Sequence, residues 1–164
     1  MQPLIIYVMG VSGSGKTTIG KKLSVKTGIP FFDADDFHSG INKEKMKAGV
    51  PLTDDDRAGW LISINELAKR HMKKEGAIIA CSALKEKYRR ILSDGITTSF
   101  FWIFLQGNYE LIKTRMEART DHYMPPALLT SQFEALEIPQ QSIPVDISQN
   151  PDKIVEEIIS QIRL

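Results

Sequence analysis

The stretch Gly10-Val-Ser-Gly-Ser-Gly-Lys16-Thr17 follows a run of six apolar residues, Leu4 to Met9, and leads into a helical pattern, Thr18 to Thr27. It fits G-x-x-x-x-G-K-[ST], and a strand before and a helix after are the setting that this motif requires. Gly10, Gly13 and Gly15 let the backbone curl so that successive N–H groups point inward, a nest for phosphate oxygens. The helix behind adds unpaired N–H groups and the positive end of its dipole. Gly10, Val11, Ser12, Gly13, Ser14, Gly15, Lys16, Thr17 and Thr18 therefore read as one cradle for ATP. Lys16 supplies a charge for the β- and γ-phosphates, and Thr17 a hydroxyl for Mg²⁺. The plainer alternative is a glycine-rich turn with a surface lysine, and the flanking elements speak against it.

Composition narrows the field further. The 164 residues carry 21 basic and 20 acidic side chains, a formal net charge of +1, so no bulk charge advertises nucleic acid or an anionic membrane as partner. The single cysteine, Cys81, rules out an intrachain disulfide framework and fits a reducing compartment. Met1 to Met9 has no basic n-region, and no apolar run approaches the 18 or so residues of a membrane span. We expect a soluble, cytoplasmic chain forming one domain, 1–164, without repeats or linkers.

Phe31-Phe32 opens a short second strand that ends in Asp33-Ala-Asp-Asp36. Side chains alternate along a strand, which predicts Asp33 and Asp35 on one face at its carboxyl end, where open α/β sheets bind ligands. Two carboxylates there could support Mg²⁺ and accept a proton; a polar turn in which Asp35 or Asp36 caps the next segment is the equal alternative. Phe37 to Gly49, with His38, reads as a short helix. Thr53 with Asp56 makes a capping box for the longest helix, whose apolar stripe is Leu61, Ile64, Ala68 and Met72. Arg57 lies on that stripe one turn in, where a cation is disfavoured unless an anion faces it. The anion is either Asp54 to Asp56 or a bound substrate, and the second is preferred.

Ala77 to Cys81 is a buried strand with no Asp at its end, which moves metal support to Asp33. Lys85 to Ser93 reads as a helix with a solvated basic face of Lys85, Lys87, Arg89 and Arg90. Phe100 to Leu105 is a strand covered on both faces. Asn108 starts a helix bearing Arg115 and Arg119, followed by the irregular Thr120-Asp-His-Tyr-Met-Pro-Pro126 and a further helix, Ala127 to Leu136. Arginines around such an excursion suit a mobile cover, a lid at about 115–133, although an ordinary surface helix has the same pattern. Val145-Asp-Ile147 is the last strand, and Asn150-Pro151 begins the final helix, with Ile154, Val155, Ile158, Ile159 and Ile162 as its buried stripe. Strands and helices alternate five times, which predicts a parallel sheet flanked by helices. Periodicity does not give the strand order.

Taken together, these segments resemble the gluconate kinase family of small P-loop sugar-acid kinases, relatives of shikimate and adenylate kinases. The resemblance runs from Gly10 to about Ile147 and rests on Asp33-Ala-Asp-Asp-Phe-His38, Asn42 with Lys45-Met46, Gly49-Val-Pro-Leu-Thr-Asp-Asp-Asp-Arg57 with Trp60-Leu61, Ala80-Cys-Ser-Ala-Leu-Lys85 with Tyr88-Arg89, and His122-Tyr-Met with Leu128-Leu-Thr-Ser-Gln-Phe133. It implies an α/β fold of the nucleoside-monophosphate-kinase type, a five-stranded parallel sheet in order 2-3-1-4-5 with a lid segment, and a homodimer. Ala34 stands where the family often has Gly, Ser39 where Pro follows the His, and Ala58-Gly59 where a Pro commonly precedes the Trp. These are backbone-shaping departures.

The activity that the resemblance implies is transfer of the γ-phosphoryl group of ATP to D-gluconate, giving 6-phospho-D-gluconate. Lys16, Asp35 and Arg119 would be catalytic, with Asp35 the base by similarity to shikimate kinases. Thr17 and Asp33 would hold Mg²⁺, and Arg115 and Arg119 would meet adenine or phosphates. Asp35, His38, Arg57, Lys85, Arg89 and His122 would surround gluconate, Arg being suited to a carboxylate through its bidentate fork. The rival enzymes are a shikimate kinase or a nucleoside-monophosphate kinase. A nucleotide-dependent switch should carry an N-K-x-D base-reading signature, and Asn42-Lys-Glu-Lys45 lacks its Asp.

Overall fold

A computed structural model describes residues 2–119 and 125–163. All five strands pair in parallel in one sheet, ordered β2-β3-β1-β4-β5, where β1 is Leu4–Met9, β2 Phe31–Asp33, β3 Ala77–Ala80, β4 Ser99–Gln106 and β5 Ile143–Asp146. That is the order the resemblance implied. β1 lies at the centre, paired with β3 through Ile6 and Ile78 and with β4 through Ile6 and Phe101, and all six of its residues are buried. A strand without a solvated face must be apolar throughout, which is why Leu4 to Met9 shows no alternation.

The period of two reappears in what each β1 residue touches. Leu4, Ile6 and Val8 enter one core with Ile19 and Leu23 of α1 (Lys16–Thr27) and Ile154, Val155 and Ile158 of α7 (Pro151–Ile162). Ile5, Tyr7 and Met9 enter the other with Trp60, Leu61 and Ile64 of α3 (Asp54–His71) and Leu92 of α4 (Glu86–Ser93). Tyr7 stacks on Trp102 at 4.4 Å and satisfies its buried hydroxyl by donating to Leu92 O at 2.8 Å. Cys81, just past β3, is 1 % exposed, and its N–H donates to Val8 O at 3.0 Å.

Helix ends follow the expected chemistry. Thr53 and Asp56 form the reciprocal capping box of α3, Asn108 caps α5 (Tyr109–Glu117), and Asn150 caps α7 ahead of Pro151. Ser39, one of the departures, is itself the N-cap of α2 (Gly40–Lys47), accepting from Asn42 N at 3.2 Å. The expectation for Asp35 needs correction. β2 stops at Asp33, whose side chain accepts from Asp35 N at 3.0 Å and starts a 3-10 helix, Ala34–Phe37. Asp33 and Asp35 are thus joined by a turn and not by strand alternation, and the capping residue is Asp33. β4 also differs: its first residues Ser99 and Phe100 are exposed, so only its second half is covered as expected. No described helix is long and apolar enough to cross a membrane.

Candidate active site

The carboxyl ends of β1, β2 and β3 open on a cavity of about 430 Å³. On one side stands the phosphate loop. Gly13 has φ +77°, and a Cβ there would come within 2.7 Å of Met116 Cγ on α5, so this turn admits only glycine for both conformation and space. Lys16 donates from Nζ to Gly10 O at 3.1 Å and Val11 O at 3.0 Å, folding its charge over the loop. Burial pushes its ammonium below the usual lysine range, Asp35 and Asp33 oppose this, and the Arg119 charge adds to the lowering. Arg119 itself is exposed, at the end of α5.

Thr17 Oγ1 donates to Asp33 Oδ2 at 3.0 Å, which joins the two residues expected to serve Mg²⁺. Both are hard oxygens, and the donated proton leaves the hydroxyl lone pairs free. Among the described residues no group of three or more His, Cys, Asp or Glu could cage a metal. One carboxylate and one hydroxyl fit Mg²⁺ delivered with phosphates and waters, the way this ion is usually held.

The acceptor side is gathered from distant segments. Asp35 lines the cavity, its side chain 73 % exposed. The walls of the cleft first, then the Asp33 carboxylate, push its carboxyl above the ordinary value against the pull of Lys16, a shift that solvent on its open side tempers and that favours proton acceptance. His38 stacks on Trp60 at 4.1 Å, and Trp60 is fixed by donating to Ala34 O at 2.7 Å. His38 Nε2 stands 4.0 Å from Asp35 Oδ1. Burial, then the charges of Arg57 and Lys43, hold the imidazolium down to about 4, so His38 is neutral at pH 7.

Arg57 faces the same cavity. It donates from Nη1 to Leu52 O at 2.5 Å, lies 3.4 Å from Tyr88 Oη, and sits 5.5 Å from the Tyr88 ring centroid. Two of the three first-turn acids are engaged elsewhere: Asp54 accepts from Lys85, Lys87 and Tyr88, and Asp56 from Lys45 and the cap, while exposed Asp55 makes no ion pair with Arg57. No ion pair among the described residues includes Arg57. Lys85 lines the cavity too, but its ammonium is 3.4 Å from Asp54 Oδ1.

Other expected residues go elsewhere. Arg89 is 3 % exposed and is not at the cavity. Its N–H groups reach Ala83 O at 2.7 Å, Leu84 O at 3.1 Å, Glu137 O at 2.8 Å and the Glu86 carboxylate, so its donors are spent on holding the chain. The solvated basic face expected for α4 is corrected at this position, because turn carbonyls at the start of the helix replace water. Arg115 donates to Ile147 O at 2.5 Å, tying α5 to the exit of β5. His122 and the middle of the expected lid lie outside the described residues. Asn42, on α2 in the fragment that resembles a base-reading motif, donates to Asp56 O on α3 at 2.7 Å, so its amide ties two helices together.

Sequence reasoning gave no role to Tyr88 or Gln132. Gln132, on α6 (Pro126–Ala135), makes two contacts to Ser12. Its signals are its place in the stretch Leu128 to Phe133 that carries the resemblance and an amide on the face of α6 that also bears Leu128. A larger groove of about 790 Å³ runs between α4, the start of β4 and residues 137–142, but includes no phosphate-loop residue. Chemistry, not volume, identifies the site: an anion cradle beside a carboxylate and a cation-bearing polar cleft can move a phosphoryl group onto an anionic alcohol.

Comparison with known proteins agrees. The shikimate kinase family model matches residues 12–163. "Probable gluconokinase" of Dictyostelium discoideum is 46% identical, over 99% of this chain and 88% of its own. "Thermosensitive gluconokinase" of Escherichia coli K12 is 44% identical, over 92% of this chain and 82% of its own. The crystal structure of a gluconokinase from Sinorhizobium meliloti 1021 superposes with a TM-score of 0.89 at 39% identity, covering 99% of this chain and 93% of the other.

Proposed function

The chain belongs to the gluconokinase family, and from that membership we propose that it transfers the γ-phosphoryl group of ATP to the C6 hydroxyl of D-gluconate, releasing ADP and 6-phospho-D-gluconate. The gluconate oxygen attacks phosphorus, the bond to the ADP oxygen breaks, and Asp35 takes the hydroxyl proton. Such transfer asks a protein mainly to position reactants and neutralise charge. The phosphate loop holds the triphosphate, Lys16 moves from its loop carbonyls onto the β- and γ-oxygens, and Arg119 adds charge as it develops. Thr17 and Asp33 would hold Mg²⁺, which would supply charge neutralisation for the phosphate oxygens.

One observation carries the choice of acceptor: Arg57 lines the same cleft as Ser12 and Lys16 of the phosphate loop, while Asp54 and Asp56 are held by other cations. A guanidinium so placed reads a carboxylate. His38, stacked and neutral, and Lys85 bound the sugar hydroxyls between Arg57 and Asp35. Shikimate, a cyclic carboxylate alcohol, is the competing acceptor, because the family model carries that name. Initial rates of ADP release with gluconate, shikimate, glucose, AMP, CMP and GMP test the reading. Gluconate should exceed every other acceptor by at least about a hundredfold in kcat/KM, well inside the roughly ten-thousandfold that a site reaches when the wrong substrate leaves its buried polar groups unpaired. Faster turnover of shikimate or a nucleotide would overturn it.

The enzyme works as one kinase domain and, by family resemblance, as a homodimer, which sedimentation would check. The buried single cysteine suits the cytoplasm.

A further inference from the structure

Ser12 is the third residue of the phosphate loop and lines the cavity beside Lys16 and Asp35. Its N–H donates to Gln132 Oε1 at 2.7 Å, and Gln132 Nε2 donates to Ser12 Oγ at 3.0 Å, across 120 residues of sequence. A backbone N–H can only donate, so the amide atom facing it is oxygen, which settles the orientation of Gln132. Both ends of the amide are thus spent on one loop residue. The same face of α6, at spacings of three and four, presents Leu128, Ser131, Gln132 and Ala135 to the cleft that Arg57 also lines. α6 is therefore both a wall of the acceptor cleft and a ligand of the nucleotide loop.

A γ-phosphoryl group carries only acceptor oxygens. At Ser12 it would require the N–H that Gln132 Oε1 holds, and two acceptors cannot share that donor at full strength. A diphosphate ends one group short and would leave the contact alone. We propose that Gln132 is a positioning residue that senses the γ-phosphoryl group: its amide keeps Ser12 engaged in the nucleotide-free protein, and arrival of the γ-phosphoryl displaces it and resets the α6 wall against gluconate. This rests on the reading of the cleft as the place where ATP meets gluconate. It makes acceptor affinity depend on whether the nucleotide is a triphosphate or a diphosphate.

The test compares Kd for a non-hydrolysable ATP analogue and for ADP, by calorimetry with Mg²⁺, in the parent, Gln132→Ala and Gln132→Glu. Alanine removes the competitor, so the analogue should bind about threefold to tenfold more tightly, the scale of one net hydrogen bond. Glutamate keeps the grip on Ser12 N–H and adds a charge facing the phosphoryl oxygens, so the analogue should bind at least about tenfold more weakly. ADP should change by less than about twofold in both. A merely structural contact would move both nucleotides together or neither, and either result overturns the proposal. A second arm measures gluconate Kd with the analogue and with ADP bound. The parent should discriminate between the two states and Gln132→Ala should not; a ratio that survives in Gln132→Ala also overturns the proposal. If the parent bound no gluconate in either state, the acceptor assignment would fail, and the nucleotide ratios would still decide the role of Gln132.

Discussion

The nucleotide half of the cleft comes from consecutive residues, Gly10 to Thr18, between one strand and one helix. The acceptor half draws Asp35 from a 3-10 helix and His38 from its C-cap, Arg57 from α3, Lys85 and Tyr88 from the start of α4, and Gln132 from α6. In the first, geometry follows from backbone torsions within the segment. In the second, each side chain is only as well placed as the packing beneath it. Damage to the loop should therefore appear as lost rate in a stable protein. Damage to the acceptor half should appear as lost gluconate affinity when it strikes a contact, and as lost stability when it strikes a support.

The largest expected effect lies in the loop and its neighbouring carboxylate. Lys16→Ala should lower kcat by about a thousandfold, with thermal unfolding little changed, because the lost charge acts on the transition state. Asp35→Asn should cost about a hundredfold to ten-thousandfold in kcat and barely alter ATP binding, since an amide cannot take the hydroxyl proton. Single-turnover rates beside melting curves check both; a fall in stability that matched the fall in rate would erase the contrast between the halves.

Arg57→Ala comes next and sharpens the contrast within one assay. Loss of a desolvated charge-assisted pair is worth roughly 2–5 kcal/mol, so the gluconate KM should rise from about 30-fold to several thousandfold while the ATP KM hardly moves. Arg57→Lys should recover little, because a point charge does not reproduce the fork. Steady-state kinetics with each substrate varied in turn decides it; an unchanged gluconate KM would remove Arg57 from the site.

Arg89→Ala tests a support. Its loss strands the Ala83, Leu84 and Glu137 carbonyls, and should lower unfolding free energy by about 3 kcal/mol, read by chemical denaturation. At a temperature where the variant is folded, the gluconate KM should stay within a few-fold of the parent. A KM effect as large as that of Arg57→Ala would mean that Arg89 reaches the substrate.

The smallest effect is in acid. His38 falls from 6.5 to about 4 on folding, so the unfolded chain gains its proton first as pH drops. Stability from this group is full above pH 6.5 and is lost progressively between 6.5 and 4, in total on the order of 2–3 kcal/mol. Denaturation midpoints across that window should slope in the parent and flatten in His38→Gln. Equal slopes would show that the imidazole is free to charge.

What could be read from the chain follows the same division. The phosphate loop, the Thr53 and Asp56 cap and the apolar β1 run are local patterns, and the structure reproduces them. The strand order came only through family resemblance, because pairing partners such as Ile6 and Ile78 leave no mark on periodicity. Asp33 and Asp35 were placed on one strand because both a strand and an aspartate cap fit three residues; the Asp33 side chain ends the strand by bonding to Asp35 N. Arg89 looked like a solvated cation, since its acceptors include a carbonyl 48 residues away and the turn at Ala83, which takes φ +46° without being glycine. Gln132 and Tyr88 became meaningful only once α6 and α4 stood beside the loop and Arg57.

Cys81 adds a practical consequence. Burial pushes its thiol up to about 12, and its neighbour is the central strand. At pH 8 the reactive thiolate is scarce and shielded, so an alkylating reagent must wait for the sheet to part. The protein thus carries its own clock: the alkylation rate of its one thiol counts openings of the centre without any engineered label. ATP, binding only the closed form, should slow that clock in proportion to its occupancy, which makes a single mass measurement a binding assay.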